Sequence, residues 1–230
     1  MPEIRLTDRG DLPAGTYVIR LLGVEQARAV LQPGRALALA GDAADLLPPG
    51  EDVAEPVYGA PARWIAASAR EAAALDGVTV VTPTEVLATH LLEVLKRNLS
   101  RLLTFKTLQR QLDAFVTLSN GSRAEENRRL LDELVPEKVT LDMLHAVLRL
   151  LLGEQVSIRN LPLILEAIAE MHGTKAGPDP VCEHVRQRLG FQLVAELKRP
   201  DGTLPLIQVA NAWEEIFLQH ELAGDGGMRD

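Results

Sequence analysis

Residues 77–98 read Gly-Val-Thr-Val-Val-Thr-Pro-Thr-Glu-Val-Leu-Ala-Thr-His-Leu-Leu-Glu-Val-Leu-Lys-Arg-Asn, and this stretch decides the fold class. The β-branched run Val78–Val81 predicts a buried strand. Residues 82–85 then combine an N-cap threonine, a first-turn proline and a capping-box glutamate. A helix is therefore predicted from Pro83 to about Asn98, with apolar residues at helical spacing. A strand that leads directly into a long helix indicates a mixed fold.

The segment before this stretch is turn-rich. Thr16–Leu22 is rich in β-branched and aromatic residues and predicts a strand. Val24–Leu31 fits a helix by its Ala, Glu, Gln and Arg content, or a strand returning from the turn at Gly23 by its alternation. The remaining predictions before residue 77 are a short strand at 35–40, a loop at 45–56 and a helix at 66–75.

From about Leu102 to Gly190 the sequence predicts helices only. The candidates are Lys106–Leu118, Ala124–Leu134, a helix capped by Thr140, a helix capped by Asn160, and a helix opened by Asp179-Pro180. Past Gly190 the helical pattern weakens. A strand is predicted at Leu204–Val209, a helix at Trp213–His220, and disorder over the Gly-rich tail at 224–227.

The composition is that of a globular protein and limits its partners. The 230 residues carry a net charge of -8, with 47% hydrophobic, 24% charged and 3% aromatic residues. We predict no nucleic-acid partner, because phosphate binding depends on clustered Lys and Arg, and the arginines at 123–129 are interleaved with glutamates. The single cysteine, Cys182, cannot form an internal disulfide, which favours a reducing cytosol. No stretch has the roughly 20 apolar residues that span a bilayer, and the N-terminus is not a signal peptide.

The sequence holds no catalytic or metal-binding pattern. Its five histidines lack paired ligand spacing, and it has no phosphate-binding Gly-rich loop or nucleophile elbow. The acidic pairs Asp132-Glu133 and Glu214-Glu215 diverge on their helices, since adjacent helical residues point about 100° apart. We therefore predict no catalytic residue, no cofactor and no metal ion.

Two places suit contact with another protein. Tyr58 stands in a loop framed by proline and glycine, where an amphipathic ring on a stiff segment is a good docking anchor. The alternative is a tyrosine that closes a small core. On the helix from Pro83, His90 is predicted to be half-buried beside the apolar stripe, and Thr89 next to it could edge a groove.

Four stretches, in this order, resemble the cytoplasmic domain of the flagellar and type III export-gate family (FHIPEP). They are residues 55–65, 77–91, 130–136 and 155–167. The first contains Tyr-Gly-Ala-Pro-Ala-Arg-Trp-Ile, a form closer to flagellar members than to virulence-system members. Together the matches cover most of the chain from Thr16 to about Val209.

The resemblance implies an α+β fold with several subdomains. They are a mixed α/β subdomain at 1–33 and 83–103, a ferredoxin-like insertion at 34–82, an all-α helical subdomain at 104–190, and the start of a further α/β subdomain at 191–230. The resemblance also favours a strand for Val24–Leu31. Compared with the family, the chain is expected to begin after the opening strand and helix, to stop early in the last subdomain, and to lack the membrane-spanning half.

The resemblance implies a docking platform at the cytoplasmic face of the bacterial inner membrane. Family members form a ring, bind export chaperones that carry late flagellar substrates, contact other export-apparatus proteins and help order export. The family's docking dimple falls here on Glu55, Tyr58 and Thr89, with Gly59 and Pro61 shaping the loop. An aromatic anchor in an apolar dimple with an acid at its rim suits a transient helix-in-groove contact.

Two departures from the family pattern concern the helical part. Asn160 stands where an acidic residue is usual, and residues 104–107 replace a Gly-Arg-Gln-Glu type of stretch. Contacts of the helical subdomain near these positions are expected to differ. The alternative functions are the equivalent component of a virulence type III system, a purely structural ring component, and an enzyme of unrecognised type.

Overall fold

The computed structural model describes residues 4–41, 47–117, 121–206, 208 and 210–220. Within them it has six strands and ten α-helices, so the predicted α+β class is confirmed. The strands precede residue 82, and all helices but the first follow it.

The first two strands form an antiparallel hairpin. Strand β1 (Thr16–Leu21) pairs with β2 (Val24–Val30). The turn residues Leu22 and Gly23 both have positive φ, at 50° and 82°, as two-residue hairpin turns with a right-handed twist require. Of the two interpretations left open for Val24–Leu31, the strand is therefore confirmed.

The other four strands form an antiparallel sheet in the order β4-β5-β3-β6. They are β3 (Arg35–Leu39), β4 (Gly50–Ala54), β5 (Pro61–Ala66) and β6 (Thr79–Val81). After a 3-10 turn at Ala67–Ala69, helix α1 (Arg70–Leu75) precedes β6. Helix α2 (Pro83–Arg97) follows β6 through the capping box that the sequence predicts.

Alternate residues of β3 pack on opposite faces of this sheet, as the pleat requires. Ala36 and Ala38 join Ala73 of α1 on one face. Leu37 joins Val86 of α2 on the other. Helix α2 is thereby fixed against the sheet face opposite α1.

Three local predictions in this region are corrected. The loop predicted at 45–56 contains β4, because Gly50–Ala54 pairs along its length with β5, and Asp52 forms a 2.6 Å ion pair with Arg63; residues 45 and 46 lie outside the described part. Acidic residues are tolerated there because β4 is an edge strand. The helix predicted from Ala66 begins only at Arg70, since Ala66 ends β5. Strand β6 is likewise an edge strand rather than a buried one.

The helical part is built around α6 and α7. Its helices are α3 (Leu99–Leu102), α4 (Phe105–Thr117), α5 (Ser122–Leu134), α6 (Leu141–Gly153), α7 (Leu161–Glu170) and α8 (Pro178–Arg188). Thr140 and Asn160 cap α6 and α7 through their side chains, as predicted. Leu144, Leu148 and Ile164 are among the buried residues where these two helices meet their neighbours.

Beyond α8 the chain continues as α9 (Gly190–Leu197) and α10 (Asn211–His220). The helix at Trp213–His220 is confirmed, whereas α3 and α9 were not predicted. Asp179 lies in the first turn of α8 and caps nothing, because the N-cap is Gly177. The strand predicted at 204–209 is wrong for 204–206 and 208, which carry no strand. Ile207, Val209 and the tail from 221 lie outside the described residues.

The buried hydrophobic residues form clusters that draw on separate parts of the sequence. The clusters on the sheet draw on residues 31–86, and the helical cluster draws on residues 103–193. The subdomain boundaries 1–33 with 83–103, 34–82, 104–190 and 191–230, and the ferredoxin-like character of the insertion, stay predictions.

Candidate docking site

The loop that joins β4 to β5 closes on itself through Glu55. The main-chain N–H of Glu55 donates to the carbonyl of Ala60 at 2.8 Å, and the main-chain carbonyl of Glu55 accepts from the N–H of Gly59 at 3.0 Å. Its carboxylate also accepts from the main-chain N–H groups of Val57, at 2.7 Å, and of Tyr58. Charge-assisted bonds of this kind are the stronger ones in proteins, so the loop is held in one shape.

Glu55 does not lie where the resemblance implied. The resemblance implied an acid at the rim of a dimple, but Glu55 is only 6% exposed. A buried carboxylate needs its hydrogen-bond acceptors satisfied, and here the loop's own main chain satisfies them. Glu55 therefore shapes the loop from inside and does not present its charge to a partner.

Tyr58 is the exposed member of the loop. Its side chain is 66% exposed. The pKa of Glu93 on α2 is lowered, chiefly by the hydrogen bond from Lys96 and to a smaller extent by the nearby Tyr58 side chain. The ring therefore lies beside α2, and Tyr58 is largely open to solvent.

Thr89 is exposed on α2. It stands one helical turn before Glu93, so the structure brings Thr89 to the side of α2 that Tyr58 approaches. Leu92, three residues after Thr89, is 51% exposed and was missed from the sequence. Its position outside the buried stripe of α2 was the available signal. Tyr58, Thr89 and Leu92 are called the docking surface below.

Gly59 and Pro61 lie at the end of the loop where it leads into β5. Gly59 has a φ of +75°, a conformation that side chains other than glycine rarely adopt. Pro61 is the first residue of β5 and faces Ala54 of β4; a proline is tolerated at the start of a strand. Its carbonyl accepts from the N–H of Ala40 at 3.1 Å. Neither residue belongs to the apolar area of the docking surface.

Three further features of the described residues bear on function. No group of three or more His, Cys, Asp or Glu side chains could hold a metal ion there. Cys182 is buried in α8, and burial raises the pKa of its thiol, which disfavours the reactive thiolate. In the part of the chain that the structure describes, no helix is both long and apolar enough to cross a membrane.

Known sequences match the chain over nearly its whole length. The model of the FHIPEP family matches residues 1–227. The chain is 37% identical over 226 residues to the flagellar biosynthesis protein FlhA of Caulobacter vibrioides, covering 98% of this chain and 31% of that protein. It is 34% identical over 228 residues to FlhA of Salmonella typhimurium, covering 99% and 32%. The chain thus spans about a third of the length of these relatives.

Solved structures resemble the chain in fold. The protein CdsV of Chlamydia pneumoniae, in its complex with CdsO, matches with a TM-score of 0.73 at 22% identity, covering 96% of this chain and 64% of that one. The nonameric SctV-C of EPEC matches with a TM-score of 0.58 at 17% identity, covering 91% and 69%.

Proposed function

Since the chain belongs to the FHIPEP family, we propose that it is part of a flagellar type III export gate. Its role there is a docking platform that binds export chaperones carrying late flagellar substrates and helps order their export. The FlhA relatives favour a flagellar over a virulence system. The proposed location is the cytoplasmic face of the bacterial inner membrane.

One observation carries the docking role. An aromatic side chain, Tyr58, is 66% exposed on a loop that a buried carboxylate holds rigid. Tyrosine supplies a large contact area at a small cost in conformational entropy, and exposed, fixed aromatics are enriched among residues that dominate binding energy.

The surroundings of Tyr58 suit an amphipathic helix as partner. Leu92 and Thr89 add an apolar and a small polar contact on the same side of α2. Glu93 and Lys96 form a 2.8 Å ion pair at the edge of the docking surface. Because the two charges compensate each other, neither attracts a charged partner strongly. An amphipathic helix laid on such a surface contributes anchors at helical spacing. The small area is appropriate to a contact that must release its cargo.

A second role, ring assembly, is favoured by one likeness. The solved SctV-C is nonameric and shares this fold. We propose that the protein likewise assembles with copies of itself. The likeness to CdsV solved with CdsO favours contact with another export-apparatus protein as well. Neither docking nor ring formation requires a catalytic group.

Site-specific photo-crosslinking tests the docking role. The tyrosine at position 58 is replaced by a photoreactive phenylalanine, and the chain is mixed with a chaperone–substrate complex. The control carries the same replacement at Phe191, which is 65% exposed on α9. A crosslinked adduct is expected at position 58 and none at position 191. Equal adducts at both positions, or none at position 58, would rule the docking surface out.

A further inference from the structure

A part-buried polar pair lies where α2 meets the β1–β2 hairpin. The hydroxyl of Tyr17 on β1 is 2.6 Å from Nδ1 of His90. The rings meet edge to face, with centroids 5.7 Å apart and planes at 86°. His90 is only 7% exposed. The pair joins the β1–β2 hairpin to α2 across 73 residues of sequence.

Both partners are neutral near neutral pH. Burial raises the pKa of Tyr17 to about 12, and the nearby charge of Glu55 adds to this effect. Burial also lowers the pKa of His90. The proposed arrangement has the Tyr17 hydroxyl donating to an unprotonated Nδ1, with the proton of the His90 ring on Nε2.

Groups on three elements act on His90, one through a hydrogen bond and two through their charge. They are Tyr17 on β1, Glu55 in the loop between β4 and β5, and Arg97 on α2 itself. The charge of Glu55 raises the pKa of His90, and that of Arg97 lowers it, but burial outweighs both. Glu55 is also the group whose carboxylate holds the main chain of Val57 and Tyr58.

We propose that Tyr17 and His90 are positioning residues for the docking surface, and that protonation of His90 releases the loop that carries Tyr58. The proposal rests on the docking role proposed above. A protonated His90 cannot accept from the Tyr17 hydroxyl. Its positive charge then attracts the Glu55 carboxylate, which has to leave the N–H groups of Val57 and Tyr58. The regulated property is the orientation of Tyr58.

The sign of the pH effect follows from the direction of the shift. A histidine whose pKa is lowered by folding leaves the native arrangement complete above its ordinary pKa of about 6.5. As pH falls through that value, the unfolded or loosened state binds the proton first, and the arrangement weakens. Docking is therefore expected to be strong at about pH 7.5 and weaker at about pH 5.5.

The first test needs no partner. Amide hydrogen exchange at Val57 and Tyr58 and the nitrogen NMR signals of His90 are followed from about pH 7.5 to about pH 5.5. Protection of both amides is expected to fall as His90 gains its proton. Tyr17→Phe keeps the ring but removes the donor to Nδ1. The loss of amide protection and the protonation of His90 are therefore both expected at a higher pH than in the wild type. Loss of protection that does not follow the His90 signals would overturn the proposal.

The second test measures docking of a chaperone–substrate complex by calorimetry over the same pH range. The affinity of the wild type is expected to fall about tenfold, whereas that of His90→Gln stays level. His184→Gln, a histidine paired with Glu170 on distant helices, is the matched control and should follow the wild type. An unchanged wild-type affinity, or an equal fall in His90→Gln, would contradict the proposal. Absence of docking at every pH would instead contradict the proposed function, leaving the first test to decide the positioning role.

Discussion

At the scale of single residues, the exposed members of the site were easier to predict than the buried ones. Tyr58 stands between Pro56 and Gly59, so its loop position follows from local turn chemistry. The contact of His90 with Tyr17 joins groups 73 residues apart in sequence. No local pattern encodes such contacts, and Tyr17 was accordingly missed as part of the site.

Glu55→Gln tests the closure of the loop. The amide can accept from only one of the two N–H groups, and its own NH2 group opposes the other. The variant should lose about 1–3 kcal/mol of local stability, the typical range for a hydrogen bond to a charged group or an unsatisfied buried donor. Faster amide exchange at Val57 and Tyr58, with unchanged exchange in α6, is the expected result. Exchange at those two amides equal to the wild type would show that the carboxylate does not hold the loop.

At the scale of elements, helices were predicted better than strands. The boundaries of α2 follow from local signals, since Thr82 accepts from Glu85 N–H at 3.2 Å and Glu85 accepts from Thr82 N–H at 2.6 Å. Strand β4 has an acidic sequence and is a strand only because β5 pairs with it. That pairing is tertiary information, which outweighs local propensity. Helix α9 was missed because its first residue is Gly190, and glycine more often follows a helix than begins one.

Thr82→Ala tests the capping box. The variant loses the side-chain acceptor for the third helical N–H, and the free energy of unfolding should fall by about 1 kcal/mol. Thr89→Ala, an exposed threonine of the same helix with no capping role, is the matched control and should change the stability by less than about 0.5 kcal/mol. Chemical denaturation of both variants measures the difference. Equal stabilities would mean that the cap contributes nothing to α2.

At the scale of the whole molecule, the order of elements was predictable, but their partners were not. A mixed region followed by an all-helical one can be read from the change at Leu102. Which face of the sheet α2 covers depends on Leu37 and Val86 meeting across a distance of 49 residues. The separation of the sheet clusters from the helical cluster supports the proposed boundary near residues 103–104.

Leu148→Ala tests whether these cores are separate. Leu148 is almost fully buried in α6, and the substitution should cost about 2–5 kcal/mol by the lost burial and the cavity that remains. Hydrogen exchange should quicken in α6, α7 and α8 while the pairing of β3 with β5 keeps its protection. Equal loss of protection in the sheet would show that the whole chain unfolds as one unit.

The most direct measurement of the docking account is the affinity of a chaperone–substrate complex for Tyr58→Ala, determined by calorimetry at about pH 7.5 beside wild type and Phe191→Ala. Phe191 matches Tyr58 in exposure, at 65% against 66%, but lies on α9. We predict that Tyr58→Ala binds at least about tenfold more weakly than the wild type, with an unchanged unfolding transition. Phe191→Ala should bind like the wild type. Equal affinity of Tyr58→Ala and wild type would contradict the account.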